Sequence, residues 1–427
     1  MGTEGTQAFD RSAEAAAAPA AHPPAGPALP GAPHNPSLRR GLSGALKHLR
    51  ITARAHFAGL IAARRTPPPL CREGALASER ISSVLICRVN ARMGNTLFLT
   101  LLIQQLHELL PDAAIDVASA YPQAPDLLGQ LPGVRQVIVF PYKGVGIVWR
   151  YFAALARVRG RSYDLAIDPV PHSTSARIVL WLCRARLRLG FASEHQWAPL
   201  THAVPEALTP AHRAIQPVFL LHRALGTARE PPRLQLSSGC GASEQAVARA
   251  LVRHALELRG SDPRSAQPVG FFAYATGSKA LGRAYWLKFW SSFLCLEPRA
   301  VPVEFLPTPH ATPINPSFAS LHVPSPRRLA AAMGQMCMFV SADTGPMHLA
   351  SSTQVPTVGL FCASEPALYG PLKTCDLALD VTRHSPALLA VLCYQHWQRY
   401  RSLPTLVADD IDAGALANIR TGYRPVQ

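Results

Sequence analysis

FVSADTGPMHLASSTQVPTVGLF, residues 339–361, is the stretch on which the fold turns. It predicts a buried strand over 336–341, a sharp turn at Asp343, Thr344 and Gly345, a helix opened by Pro346, and a second buried strand over 357–361. Thr344 suits the N-cap, Gly345 lets backbone approach closely, and Pro346 suits a first helical position, where a missing N–H costs nothing. Amide N–H groups at such a turn lie at the positive end of a helix dipole. They form an anion site fit for a phosphate or diphosphate. The same pattern also serves as an ordinary capped helix in an α/β unit that binds nothing.

Strand and helix signals alternate on both sides of this stretch. Upstream, SSVLICRV (82–89), IDVASA (115–120), VRQVIVFP (134–141), YDLAID (163–168) and RLRLGF (186–191) are short apolar runs, as expected of parallel strands buried on both faces. A glycine-containing turn runs from the first of them into a helix with Leu97, Leu101, Ile103, Leu106 and Leu110 on its apolar positions. Helices are expected over 124–130, over 151–159 and after the 168–175 loop. The proline-rich TAREPPRLQL (227–236) reads as a linker. A second series follows: a helix over 243–258, a strand and turn PVGFFAYATGSK (268–279), a helix over 284–294, a strand PVEFLPTP (302–309), a helix over 326–335 and the opening stretch. LALDV (377–381) is a last strand and 385–401 a terminal helix. This alternation means α/β architecture with two Rossmann-like doubly wound domains, over 81–230 and 231–405, between an extension at 1–80 and a tail at 406–427.

At 427 residues the chain is too long for one ordinary core. Nine scattered cysteines without a CxxC pair or Cys/His cluster fit a reducing compartment, not a disulfide framework or a zinc site. The formal charge of +16 points to an anionic partner. No known nucleic-acid-binding pattern accompanies that charge, so nucleic acid is not the expected partner. No apolar run is long enough to span a membrane, and the N-terminus lacks the apolar core of a secretory signal. Residues 1–37 are too poor in large apolar side chains to offset chain entropy and read as disordered. Residues 38–65 interleave arginine and leucine with no acid. They read as an amphipathic helix on an anionic membrane, or as a solvated helix packed on the domain.

DTGPMHLA with VPTVGLF and EPALYGP (365–371) resembles the donor-site signature of glycosyltransferase family 9, the ADP-heptose:lipopolysaccharide heptosyltransferases and their relatives. Further segments fall in the family's order from about residue 81 to about 379. The resemblance implies a GT-B fold, two Rossmann-like domains facing across a cleft, with the donor held by the second domain and the terminal helix crossing back to the first. It implies an inverting transfer from a nucleotide-diphosphate sugar, ADP-heptose-like, to a lipopolysaccharide-core or other glycolipid acceptor. No cofactor and no metal are expected. The expected place is the cytoplasm, peripheral on the inner membrane.

Sugar transfer needs the diphosphate held, the acceptor hydroxyl positioned and, usually, a base. For the donor, the expected residues are Lys279 and Arg283 near the phosphates, Asp343 at sugar hydroxyls, and Thr344, Gly345, Pro346, Met347 and His348 around the turn. The same residues also fit solvated loop charges, a helix-start carboxylate and a buried helix histidine. The acid that holds the donor ribose in the family is not evident in VEFLPTPHATPINP. The family's first turn reads Gly-Asp, with the Asp as presumed base; here it reads Gly94-Asn95, and an amide cannot accept a proton at neutral pH. Asp168 and His172 are the substitutes, or loop residues that shape the cleft. Arg88 and Arg92 flank the first turn, where they would meet an acidic acceptor or simply solvent. A protein that binds a nucleotide sugar or glycolipid without catalysis is the rival reading, kept open by Asn95.

Overall fold

The computed structural model describes residues 69–144, 146–192, 200–227 and 235–400. The readings made for 1–37, for the basic stretch 38–65 and for the tail 406–427 lie outside the described residues.

The first sheet holds β1 (Ser83–Arg88), β2 (Ala114–Ser119), β3 (Val134–Val139), β4 (Ser162–Ile167), β5 (Arg184–Ala192) and β6 (His202–Pro205). The second holds β7 (Gln267–Phe272), β8 (Ala300–Phe305), β9 (Ala319–Leu321), β10 (Met338–Ala342), β11 (Thr357–Phe361) and β12 (Leu377–Asp380). Their orders are β3-β2-β1-β4-β5-β6 and β12-β11-β10-β7-β8-β9, with every pair parallel. Counted from its own first strand, each half has the order 3-2-1-4-5-6, so the chain repeats one Rossmann topology without repeating its sequence.

The strands form where the sequence offers apolar side chains to both faces. Val84, Leu85, Ile86 and Cys87 in β1 are fully buried, as are Met338, Phe339, Val340 and Ala342 in β10. Each large side chain so buried contributes about 1.5–3 kcal/mol. In the helix Arg283–Leu296, Trp286, Phe289, Trp290 and Phe293 recur at helical spacing and are fully buried. They meet Leu389, Ala390, Cys393 and Trp397 of the helix Pro386–Tyr400. That corrects the expectation that the terminal helix crosses back to the first half. Its apolar stripe is used up in the second half's own core. Among the described elements that escaped the sequence reading are the short strands β6 and β9 and the helices Gln216–Leu225 and Pro366–Tyr369.

The halves touch through named contacts. Phe98, Leu101, Ala214, Val218 and Leu236 form a small apolar cluster joined by Tyr369 and Leu372. Gln123 Nε2 donates to the Pro324 carbonyl at 2.6 Å, Ser325 Oγ to Asp126 at 2.8 Å, and the Arg213 amide to the Leu368 carbonyl at 3.0 Å.

Candidate active site

In sheets of this order, ligands bind beyond the carboxyl ends of the strands where the order reverses. That places two sites, one at β1/β4 and one at β7/β10.

At the first, Arg88 ends β1, residues 168–172 follow β4, and the short helix Met93–Leu97 presents Asn95. Gly94 thus lies inside a helical turn, not in a loop before it. A cleft of about 250 Å³ opens here, lined among others by Arg88, Arg92, Asn95, His172, Arg213 and Tyr369. Among the described residues none of the three arginines forms a salt bridge. Burial lowers the Arg88 guanidinium from its ordinary range, and the nearby Asp168 charge only partly offsets this. An anion entering the cleft supplies the missing counter-charge. Asn95 Nδ2 donates to Asn90 Oδ1 at 3.1 Å, an oxygen that also accepts from the Arg92 amide at 2.8 Å.

The two substitute bases part company. His172 is exposed on the cleft wall, with Nε2 2.7 Å from Glu206 Oε1. Asp168 is fully buried, gripped by Arg177, whose Nη2 also donates to the Phe191 carbonyl at 2.6 Å. Burial pushes Asp168 up to about 6, against the pull of Arg177. Asp168 is not among the residues lining the cleft; its geometry is that of a structural ion pair beneath the loop.

At the second, Lys279 pairs with Asp343, and Ser364 Oγ donates to the same Asp343 oxygen. The Lys279 ammonium also lies 5.7 Å from the centre of the Tyr369 ring, a cation–π arrangement. Asp343, nearly buried, therefore anchors the lysine. Arg283 Nε donates to the Ile314 carbonyl at 2.8 Å and holds the loop after β8. That loop is also tied to the buried Glu304, which accepts from the Ile314 amide and from Tyr274 Oη at 2.7 Å.

Thr344 occupies the N-cap position, but its hydroxyl donates back to the Ala342 carbonyl at 3.1 Å and caps nothing. The helix Gly345–Ser351 has only seven residues, so its dipole is shorter than the sequence reading implied. Pro346 stands in its first turn as expected, and Met347 is buried beneath Gly359. His348 is buried, edge-on to Phe98 with ring centres 4.7 Å apart, and burial pushes it down to about 4. It is neutral at pH 7, and its Nδ1 has no hydrogen-bond partner among the described residues.

The two sites meet at a pair of glycines. A Cβ on Gly94 would stand 2.9 Å from His348 Cδ2 and 3.6 Å from Gly345 Cα; one on Gly345 would stand 3.0 Å from Met93 Cε and 3.3 Å from the Gly94 amide nitrogen. The His348 ring cannot yield easily, being hemmed by Phe98. Gly94→Val is accordingly expected to destabilise the fold by about 1–3 kcal/mol, as overpacking does. Urea unfolding of the variant checks this; an unchanged midpoint would show that the junction has slack.

Glu206, Arg213, Ser364 and Tyr369 are site residues that sequence reasoning did not single out. Tyr369 lies within the quoted EPALYGP, but nothing in the spacing of Glu206 or Arg213 tied them to a turn more than a hundred residues upstream.

Residues 327–390, which span β10, the 343–348 turn, β11 and Tyr369, match the sequence model of glycosyltransferase family 9 (heptosyltransferase). Comparison with curated proteins gives no match. The fold is similar to a glycosyl transferase family 9 structure from Veillonella parvula, with a TM-score of 0.63 at 16% identity over 76% of this chain and 99% of that one. It is similar to Escherichia coli heptosyltransferase WaaC with ADP, at 0.57 and 16% identity over 74% and 99%. It is also similar to E. coli ADP-heptose lipopolysaccharide heptosyltransferase II, at 0.58 and 15% identity over 75% and 99%. Residues 327–390 thus carry the family 9 heptosyltransferase match across the second switch point, and the chain has the GT-B fold of these structures.

Proposed function

We propose that the protein moves a sugar, heptose or a close relative, from a nucleotide-diphosphate donor to an anionic saccharide of a lipopolysaccharide core or another glycolipid, with inversion. The observation that carries this reading is the cleft with Arg88, Arg92 and Arg213, none of which forms a salt bridge among the described residues. ADP and an ADP-heptose analogue occupy the similarly folded WaaC structures, which supports a donor of that class at Lys279 and the 343–345 turn. The acceptor hydroxyl oxygen attacks the anomeric carbon as the bond to the diphosphate breaks. His172 takes the hydroxyl proton. With Nε2–H given to Glu206, its Nδ1 is the basic atom, and Glu206 stabilises the imidazolium that forms. Asn95, beside it in the cleft, orients the hydroxyl. The diphosphate leaves toward the Lys279 ammonium and the turn amides. A glycolipid acceptor puts the reaction at a membrane surface, which we take to be the cytoplasmic face of the inner membrane.

The test is release of nucleoside diphosphate from a panel of donors in the presence of acidic core oligosaccharides. Arg213→Ala is expected to raise the acceptor KM about tenfold, the worth of one charge-assisted hydrogen bond, with the donor Kd unchanged. An unaltered acceptor KM would remove the arginine cleft from the reading; no turnover with any donor would remove the transfer itself.

A further inference from the structure

The helix Ile147–Arg159 fills one face of the first sheet with Ala154, Leu155 and Val158, and Tyr151 packs edge-on to Phe140, yet Val148, Trp149 and Phe152 stay exposed. Trp149 is 80% exposed, Val148 and Phe152 58% each, and Tyr142, in the preceding loop, 37%. No other tryptophan or phenylalanine among the described residues is an exposed large hydrophobic. Lys143, Arg150, Arg157, Arg159 and Arg161 accompany them, and no acid occurs from Phe140 to Tyr163. Lys143 Nζ lies 5.3 Å from the centre of the Tyr142 ring.

We infer that Tyr142, Val148, Trp149 and Phe152, with Lys143 and Arg150 in the same acid-free segment, are a docking face for an anionic lipid bilayer. Charge chooses the occupant. Aromatic side chains among lysine and arginine suit the boundary between acyl chains and anionic headgroups. The chain's own amphipathic stretch at 38–65 is equally basic and without an acid, so it would be repelled by this face. A second copy would bring the same cations against themselves.

Topology places the face where a lipid-linked substrate would need it. All strands of the first sheet are parallel, so their carboxyl ends share one edge. The loop after β3 and the first turn of Ile147–Arg159 leave that edge two strands from β1, whose last residue lines the cleft. At strand spacing this is about 10 Å, within reach of a headgroup held at the membrane surface. This proximity rests on the glycolipid reading, but the exposed aromatic residues do not, and the test uses no donor or acceptor.

The full-length protein is sedimented with vesicles of phosphatidylglycerol and phosphatidylethanolamine, and with phosphatidylcholine vesicles. Trp149→Ser with Phe152→Ser is expected to lower partition to the anionic vesicles about tenfold or more. Both sites are solvent-exposed, so an unchanged melting temperature is the control. A second readout needs no destabilising change: brominated lipid should quench fluorescence of the natural protein more than that of Trp149→Phe. Equal quenching of the two overturns the proposal. So does a double variant that turns a dimer into a monomer with vesicle partition unchanged, since the face would then pair two copies.

Discussion

His172→Gln is expected to lower turnover by ~10²–10⁴-fold, the usual contribution of a positioned general base, while donor affinity stays as it was. The expectation rests on geometry. His172 stands on the cleft wall with Nε2 2.7 Å from Glu206, which fixes the tautomer and leaves the second nitrogen for the acceptor. Glu206→Gln should lower turnover less, because it removes the carboxylate partner of His172 without removing the base. Asn95→Ala should have a modest effect, as its amide orients but takes no proton. Single-turnover rates with donor saturating check all three. A His172→Gln enzyme at full rate would place the base elsewhere in the cleft.

Arg177→Leu carries the largest expected loss of stability, about 3–5 kcal/mol, because it strands a fully buried carboxylate. Asp168 in the natural protein already lies near 6 against an ordinary 3.8, and burial is the cause. Without the guanidinium its pKa rises further. The folded variant then holds a proton that the unfolded chain releases near pH 4. Between those values the folded state binds more protons, so stability falls as pH rises, by up to about 1.4 kcal/mol per unit. Denaturation midpoints of the variant should therefore drop from pH 4 through 6 and beyond, more steeply than those of the natural protein. Asp168→Leu in the same chain should restore much of the loss, since a matched apolar pair can replace a buried ion pair. Failure of the double variant to recover would mean that Arg177 acts through the Phe191 carbonyl instead.

The fold was legible because parallel strands are written locally. SVLICR, MFVSA and TVGLF are mostly apolar runs, and each became a strand buried nearly throughout. β9, three residues long, carries no such signal and is held only by pairing with β8. The candidate site was placed by the same measure. Arg88, Asn95 and His172 each follow a strand whose end could be read, and the structure gathers them in one cleft. Asp168 was read as available because spacing says nothing of Arg177, nine residues on and one helix turn across. Glu206 and Arg213 lie beyond the last readable strand of the first half, and only the packing of β6 and Gln216–Leu225 brings Arg213 to the cleft and Glu206 to His172. Thr344 was read as a cap because hydroxyl residues at that position usually are. Here the backbone carbonyl two residues earlier competes for the same hydroxyl and wins.

Tyr369 belongs to both sites. It lines the arginine cleft, and its ring lies beneath the ammonium of Lys279. A diphosphate that draws Lys279 off the ring would alter the wall that the acceptor sees. Donor and acceptor bound as proposed would then be coupled in free energy although they would sit on different sheets. Such coupling is reciprocal: by whatever factor bound donor changes acceptor affinity, bound acceptor must change donor affinity by the same factor. A single aromatic ring would thus link the two affinities without any motion of one half against the other.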